Sequence, residues 1–279
     1  ESIGEAMDNG EIAVVAGFQG IAPSGRIATL GRGGSDTSAV ALAAVLGADR
    51  CDIYTDVCGV YTADPRIEPK AKCLNAISYD EMLELASLGA KVLQNRSVEM
   101  AMRYNVNLRV LSSFENGKGT MIISEPTPLE GLNVRSITHT ANECLVNVQS
   151  DASAVFQVLD KLNISSDTVS IQDSENPSIQ FTIAKDDIQK FENACKMQNI
   201  GDVTINTDIA KVSIVGSGLK KSSTTMATLL DILNHQGVNI SGLIQGETRI
   251  SAIIPASYAE LVVRLLHSAY KLDQIQQVA

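Results

Sequence analysis

The stretch LGRGGSDTSAVALAA, residues 30–44, joins a glycine-rich turn to an apolar helical pattern and has the residue types to hold an anion. Glycines let backbone N–H groups come close to a ligand, and the first turn of a helix adds unpaired N–H groups and the positive end of its dipole. Arg32 places a cation inside the turn. The spacing differs from that of a P-loop, which ends in Gly-Lys-Ser/Thr. Ser35, Asp36 or Thr37 could simply cap the helix, and a glycine-rich turn alone would favour that interpretation. Arg32 and the motif described next favour an anion site instead.

A second motif, YTDVCGVYTADPR over residues 54–66, follows about twenty residues later. Thr55 and Asp56 come at the end of a predicted strand, which is where ligands bind in open α/β sheets. Tyr61 and Arg66 follow in the loop. A carboxylate, an aromatic ring and an arginine this close together suit a ribose, a base and a phosphate, so the motif indicates a nucleotide site.

Strand and helix patterns alternate through the first 124 residues, which predicts βαβ units on a largely parallel sheet. The predicted strands are 12–17, 51–56, 108–112 and 120–123, and the predicted helices are 37–46, 79–88 and 96–104. Ser78 and Glu81 have the spacing of a capping box at the start of the second helix. Lys91 follows that helix, where it is either a phosphate contact or a cation at the negative end of the helix dipole.

The second half of the chain carries an internal repeat. Leu-Asp-x-Leu occurs at residues 159–162 and 230–233, and Asn-Ile-Ser follows at 163–165 and 239–241. Each copy is preceded by a strand pattern and followed by a strand and a second amphipathic helix. The order β-α-β-β-α, closed by a further strand, describes a small sheet with two helices on one face. A repeat of about 70 residues is too long for a solenoid unit and indicates two paired modules.

Composition narrows the function classes. A net charge of −10 argues against nucleic acid as a partner, since a phosphate-binding surface needs clustered Lys and Arg. Apolar runs fall short of the roughly 20 residues that span a bilayer, which argues against a membrane partner. Five cysteines without a CxxC pair, together with three scattered histidines, favour reduced thiols in a cytoplasmic protein over disulfides or a metal site.

The sequence around these motifs closely resembles aspartate kinase. The resemblance rests on TLGRGGSDTSAVALAAVLGADRCDIYTDVCGVYTADPR, ISYDEMLELASLGAKVL and RVLSS, and the two repeats resemble the paired ACT domains of that family. It implies an α/β fold, a partial amino-acid-kinase sheet with helices, followed by two α+β modules of βαββαβ order. The expected boundaries are 1–124 for the nucleotide-binding half-domain, 125–140 for a linker, and 141–208 and 209–279 for the two ACT domains.

The resemblance also implies an activity, phosphoryl transfer from MgATP to the β-carboxylate of L-aspartate, which gives 4-phospho-L-aspartate for lysine, threonine and methionine synthesis. Arg32 would bind the substrate carboxylate on a loop with Gly33, Gly34 and Ser35, and Asp36 would organise the catalytic lysines. The positions that match the family's ATP site, where Mg²⁺ arrives with the nucleotide, are Thr55, Asp56, Tyr61, Arg66 and Lys91, the last of them also catalytic.

Two features depart from the family pattern. The catalytic Lys-Phe-Gly-Gly loop is not found in these 279 residues, so we expect a C-terminal part of a kinase that is inactive alone. The modules also lack the Asp-x-Pro-Gly-like turn of family effector sites. The positions left to bind a lysine or threonine effector are Asn163 and Ile164 in the first module and Asn239, Ile240 and Glu247 in the second. A purely structural role, with Asn ending a helix–strand turn, is equally compatible with them.

Two other functions remain open from the sequence. One is a non-catalytic regulatory subunit, and the other is an amino-acid sensor that has lost its catalytic activity. Because ACT modules generally pair edge to edge, the family resemblance also implies a homo-oligomer.

Overall fold

The computed structural model describes residues 2–90, 92–124, 134–172 and 176–274. Two compact units divide the chain. The first runs to Ser136 and takes in the chain from Lys271, and the second is Ile137–Tyr270. In the described residues, none of the helices has the length and apolar character needed to cross a membrane.

Helices and strands alternate along the first unit. Its elements are α1 (Ser2–Asp8), β1 (Gln19–Ile21), β2 (Ile27–Thr29), α2 (Gly34–Leu46), β3 (Cys51–Thr55), β4 (Ala76–Ser78), α3 (Tyr79–Ser87), α4 (Asn95–Tyr104), β5 (Leu108–Ser112) and β6 (Thr120–Ile123). The main sheet has the order β3-β5-β6-β4. β3 pairs with β5 and β4 with β6 in parallel, whereas β5 and β6 are antiparallel, so the sheet is mixed.

The capping box predicted at the start of α3 is confirmed. Ser78 Oγ accepts from the Glu81 N–H at 3.2 Å, and Glu81 Oε2 accepts from the Ser78 N–H at 3.0 Å. Two N–H groups that a helix start leaves unpaired are thereby satisfied. Met82 and Leu85 on the next turns are buried, so the helix start and its buried face fix α3 in the unit.

The strand predicted at residues 12–17 is wrong. This stretch is not part of a sheet, and the side chains of Ile12 and Val14 are more than nine-tenths exposed. Apolar residues favour a strand only where a neighbour takes up its hydrogen bonds, and the described part of the chain places none beside it. A short antiparallel hairpin of β1 and β2 follows instead, with Gln19 opposite Thr29.

The second unit contains both repeat modules. Its elements are β7 (Val134–Thr140), of which the residues from Ile137 belong to this unit, β8 (Glu143–Val148), α5 (Ala152–Leu162), β9 (Asp167–Gln172), β10 (Ser178–Ala184), α6 (Ile188–Gln198), β11 (Val203–Asn206), β12 (Ile209–Gly216), α7 (Ser223–His235), β13 (Gly242–Gln245), β14 (Arg249–Pro255) and α8 (Ala259–Ala269). The first module has the predicted β-α-β-β-α-β order and a sheet ordered β11-β8-β10-β9. Phe181 on this sheet packs edge to face against Phe191 on α6, with the ring centroids 5.6 Å apart.

The second module takes its fourth strand from the segment before the first module. Its sheet has the order β13-β14-β12-β7. Every residue of β12 is buried, and a strand buried along its whole length requires a neighbour on each side, here β14 and β7. The predicted linker 125–140 is therefore wrong from Val134 onward, and its residues 125–133 lie outside the described residues.

The repeated Asn-Ile-Ser letters do not occupy equivalent places in the two modules. Asn163 ends α5 with a left-handed φ of 53°, and the residue that ends the α7 turn in the same conformation is Gly237, with φ 64°. The next residues, Ile164 and Val238, are both buried, and each donates its N–H to the carbonyl five residues earlier at 2.9 Å. The structural counterpart of Asn163 is therefore Gly237, not Asn239.

Candidate functional site

The glycine turn is shaped by two left-handed residues and one tight contact. Gly31 has φ 75° and Gly33 has φ 71°, values that side chains strongly disfavour. The Gly34 N–H donates to the Gly31 carbonyl at 3.0 Å and closes the turn. A Cβ at Gly33 would collide with the side chain of Gln94. The glycines are thus required by backbone conformation and by the approach of α4.

Helix α2 begins directly at the end of this turn, three residues earlier than predicted. Its cap is Gly33, with no side-chain cap, so the prediction that Ser35, Asp36 or Thr37 caps the helix is wrong. The left-handed glycine turns the chain straight into the helix and leaves those three residues in its first turn. Thr37 Oγ1 donates to the Gly33 carbonyl at 3.0 Å. Ser35 is exposed, whereas Asp36 is half-buried, and burial raises the pKa of its carboxyl group.

An arginine that the sequence did not single out holds the turn from the other side. Nη2 of Arg96 donates to the carbonyls of Leu30, at 2.8 Å, and Arg32, at 3.1 Å. Arg96 lies in the first turn of α4, at the positive end of the helix dipole, where a cation is unfavourable. That misplaced charge is the signal in the sequence from which its role could have been suspected.

A cleft of about 290 Å³ opens beside the turn. Two arginines, two amide residues and the chain around the end of α3 form its wall, and the lining residues are Arg32, Ala86, Gly89, Ala90, Leu93, Gln94, Asn95 and Arg96. Guanidinium groups bind carboxylates and phosphates through paired, charge-assisted hydrogen bonds. The cleft therefore suits a small anion. Lys91, predicted as a catalytic and phosphate contact, adjoins this wall in sequence but lies outside the described residues.

The Thr55–Asp56 pair ends β3, as predicted. Thr55 Oγ1 donates to Asp56 Oδ1 at 3.1 Å, and the Thr55 carbonyl accepts from the Ser113 N–H at 2.7 Å. Because β3 and β5 run parallel, the pair stands at the carboxyl edge of these two strands, the edge at which α/β sheets bind ligands. Asp56 is exposed at this edge.

Tyr61 and Arg66 lie in the loop after β3. Tyr61 is half-buried in a bridge with Cys73, and burial, with the nearby Cys58 thiol, raises the pKa of its phenol to about 12. Arg66 is exposed, and its guanidinium holds Asp64 through Nη2–Oδ2 at 2.6 Å and Nε–Oδ1 at 3.0 Å, which raises its pKa.

The structure brings only part of the predicted site together. Arg32 and the residues just before Lys91 share one cleft. The four other predicted nucleotide residues are not among the described residues that line it. Spacing along the chain could not reveal which predicted residues line the cleft, because this depends on where the loop after β3 lies.

The predicted effector positions fall into a buried and an exposed set. In the first module, Asn163 is exposed at the end of α5, whereas the Ile164 side chain belongs to the hydrophobic core. In the second module, Asn239 and Ile240 are exposed in the irregular segment before β13. The backbone carbonyl of Glu247 accepts from the Leu219 N–H at 2.9 Å, so Glu247 borders the loop that leads into α7.

A buried ion cluster joins the two modules and was not predicted. Lys211 of β12 is 2% exposed, and its Nζ lies 2.7 Å from Glu143 and 2.8 Å from Asp167. Arg249 Nη2 also binds Asp167, at 2.9 Å. Burial alone would raise the pKa of Asp167, but the hydrogen bond and charge of Lys211, with the charge of Arg249, lower it to about 2.

Comparison with known proteins gives a consistent family. Residues 1–112 match the Amino acid kinase family, and residues 212–270 match the ACT domain. The aspartate kinase of Pseudomonas putida (strain KT2440) is 42% identical over 280 residues, covering 96% of this chain and 68% of the relative. An aspartokinase of Thermus thermophilus is 42% identical over 289 residues, covering 98% of this chain and 70% of the relative.

Solved structures agree with these relatives. E. coli aspartokinase III in complex with aspartate and ADP (R-state) superposes with a TM-score of 0.79 at 29% identity, covering 96% of this chain and 62% of that one. The same enzyme in complex with lysine and aspartate (T-state) gives 0.74 at 30% identity, covering 94% and 61%. The present chain thus spans 68% and 70% of the two curated relatives above and less than two thirds of these solved chains.

Proposed function

The chain belongs to the aspartokinase family, and on that premise we propose that it takes part in the MgATP-dependent phosphorylation of the L-aspartate β-carboxylate to 4-phospho-L-aspartate. The observation that carries the proposal is the cleft beside the glycine turn, whose lining includes the two cationic residues Arg32 and Arg96. Phosphoryl transfer needs positioning and electrostatic stabilisation more than covalent chemistry from the protein, which suits such a site.

On the substrate side, the guanidinium of Arg32 would bind a carboxylate of aspartate through two hydrogen bonds. Gly33, Gly34 and Ser35 would add the positive end of the α2 dipole. Asp36 would organise the catalytic lysines, Lys91 among them. Its half-burial raises the pKa of the carboxyl group, so a neighbouring cation would favour the ionised form that this role needs.

On the nucleotide side, Thr55 and Asp56 would meet MgATP at the carboxyl edge of β3, with Tyr61 and Arg66 contributing from the loop. The donors fit a nucleotide, since a hydroxyl and a carboxylate suit a ribose and a guanidinium suits a phosphate. Arg66 would have to exchange its bond to Asp64 for one to the ligand, and its exposure makes that exchange inexpensive. Mg²⁺ would come with the nucleotide and shield its phosphate charge.

The modules would regulate this activity by binding an amino acid. We place lysine or threonine as the effector at Asn163, Ile164, Asn239, Ile240 and Glu247. Ile164 would act there through its backbone, because its side chain lies in the core. The proposed cellular setting is the cytoplasm, at the first step of lysine, threonine and methionine synthesis, with the modules pairing into a homo-oligomer.

Calorimetric titration with MgATP tests the nucleotide side directly. We expect the chain to bind MgATP and the Asp56→Ala variant to bind it about tenfold more weakly, the size of effect expected for one hydrogen bond to a charged group. Asp49→Ala, an exposed carboxylate outside the motif, is the matched control. Equal affinity of the Asp56→Ala variant and the wild type would contradict the nucleotide site.

Turnover is the second arm of the test. Aspartate-dependent ADP release is measured for the chain alone and for the chain joined to the Lys-Phe-Gly-Gly segment of a relative. Activity that requires Arg32 in either protein supports the kinase.

An amino-acid sensor is the second candidate, and it is favoured because four of the predicted nucleotide residues are not among the described residues that line the Arg32 cleft. This function predicts no MgATP binding in the calorimetric titration and no aspartate-dependent ADP release. It also predicts that lysine or threonine binds to the chain.

A further inference from the structure

We propose that Arg96 is a positioning residue that holds the glycine turn in its anion-binding shape and keeps Arg32 directed to the cleft. The inference rests on the proposed function for the identity of the anion, L-aspartate. It concerns a residue outside both motifs, more than sixty positions from its partners along the chain.

The first argument is that the backbone carbonyl groups of the turn accept hydrogen bonds from within the protein. Arg96 takes the carbonyls of Leu30 and Arg32, while the Gly31 carbonyl accepts from the Gly34 N–H at 3.0 Å. The next carbonyl, that of Gly33, accepts from Thr37. Four successive carbonyl oxygens are therefore engaged within the protein. Carbonyl oxygens repel an anion, so their engagement leaves the positive groups of the turn to face a ligand.

The second argument is the charge of Arg96 itself. Within the described residues its guanidinium has no carboxylate partner, and it lines the same cleft as Arg32. A cation in the first turn of α4 costs helix stability, because it faces the positive end of the dipole. The residue is thus poorly placed to stabilise its own helix and well placed to raise the positive potential of the cleft.

The third argument is the fit of α4 to the turn. Just before this helix, Gln94 packs against Gly33 so closely that a Cβ there would overlap its side chain. Gln94 therefore fixes the turn by close packing, and Arg96 fixes it by hydrogen bonds. A planar guanidinium can serve two carbonyls in a fixed geometry, whereas the compact ammonium of lysine is a point charge on a flexible stem. Lysine at position 96 should accordingly preserve the charge and only part of the positioning.

The experiment compares Arg96→Ala, Arg96→Lys and Arg103→Ala. Arg103 is the matched control, because it is an exposed arginine on the same helix that stacks over the Tyr104 ring at 5.8 Å. Hydrogen exchange is followed in the peptide covering residues 30–38, and thermal unfolding reports global stability. L-aspartate affinity is measured by calorimetry, with and without millimolar guanidinium as a replacement for the lost side chain.

In Arg96→Ala we expect exchange in residues 30–38 to rise about tenfold, as for the loss of one net hydrogen bond to a charged group, with the unfolding midpoint nearly unchanged. Aspartate affinity should fall by a similar factor and partly recover with guanidinium. Arg96→Lys should be intermediate and Arg103→Ala unchanged. A merely structural role would lower the unfolding midpoint and show no recovery.

Exchange in Arg96→Ala equal to that in Arg103→Ala would overturn the proposal, whatever happens to aspartate. If Arg96→Ala fails to fold, wild-type exchange and affinity in Arg96→Lys would overturn it in the same way. Failure of the proposed function is distinguishable: the wild type would then bind no aspartate, and accelerated exchange in Arg96→Ala would still support positioning.

Discussion

Arg96 in the first unit and Lys211 in the second are both cations that hold distant parts of the chain together, but they do so in opposite surroundings. Arg96 is exposed and donates to two uncharged carbonyls of a turn. Lys211 is 2% exposed and is bonded to two carboxylates, one of which also binds Arg249. The first contact fixes a loop at the edge of a cleft, and the second fixes one module against another.

The surroundings decide what each contact can do. An exposed hydrogen bond competes with water, so it contributes little to global stability and acts on the local shape of the turn. A buried cation has lost its hydration and depends on its partners, so the cluster tolerates only one arrangement of the modules. The turn is therefore held by a local contact, whereas the module junction is the rigid part of the second unit.

Removing both carboxylate partners should break the rigid part with the largest effect. The double variant Glu143→Gln/Asp167→Asn leaves Lys211 buried without a counter-charge, which should cost about 3–5 kcal/mol of unfolding free energy. Urea unfolding of the whole chain measures the loss. The apolar replacement Lys211→Met is the control, and it should lose much less because the partly exposed carboxylates can hydrate. A double variant as stable as Lys211→Met would refute the rigid junction.

Acid should weaken the same junction. The pKa of Asp167 is about 2 in the folded protein against its ordinary 3.8, so the unfolded chain takes up this proton first as the pH falls. The stabilisation is therefore complete above pH 4 and is lost between about pH 4 and pH 2. Unfolding midpoints measured from pH 5 to 2 should fall more steeply in the wild type than in Asp167→Asn. Parallel curves for the two proteins would contradict this assignment.

The ends of α5 and α7 sharpen the comparison between the two modules. Gly237→Ala places a side chain in a left-handed conformation and should cost about 1 kcal/mol. Asn163→Gly, at the equivalent position, should change stability by only a few tenths of a kcal/mol, because Asn already tolerates this conformation. Unfolding of both variants gives the two values. A large loss in Asn163→Gly would indicate that its side chain has a partner within the chain.

The cap of α3 offers a smaller test within the first unit. Ser78→Ala removes the acceptor for the Glu81 N–H and should cost about 1 kcal/mol at most, by analogy with other helix caps. Ser78→Asp restores an acceptor and should return most of the loss. If the alanine variant unfolds like the wild type, the capping box contributes nothing to this unit.

Structural features that depend on residues close together in the sequence were predicted correctly. The capping box of α3 and the strand Leu108–Ser112 follow from residues within a few positions of each other, and both occur as predicted. Failures came where the outcome depends on a distant partner. Residues 12–17 have a strand-like pattern without a neighbouring strand in the described chain, and the second-module sheet recruits β7 from before the first module.

The candidate site shows the same division. Arg32 and its glycines were identified because the whole motif is contiguous. Arg96 was missed because its partners are Leu30 and Arg32, far away in sequence. Lys211 stands in an apolar strand pattern, and a sequence alone does not show which carboxylates will meet it.

The recruitment of β7 into the second module has a consequence for the order of events during synthesis. β7 leaves the ribosome about seventy residues before its partner β12, with the whole first module in between. Closing so long a loop is entropically unfavourable and slow compared with local pairing. The first module can therefore fold while β7 is still unpaired. The second module, although contiguous from β12 onward, cannot complete its sheet without a strand made long before it. The first module can therefore fold from its own segment, whereas the second depends on a strand that lies before the first in the sequence.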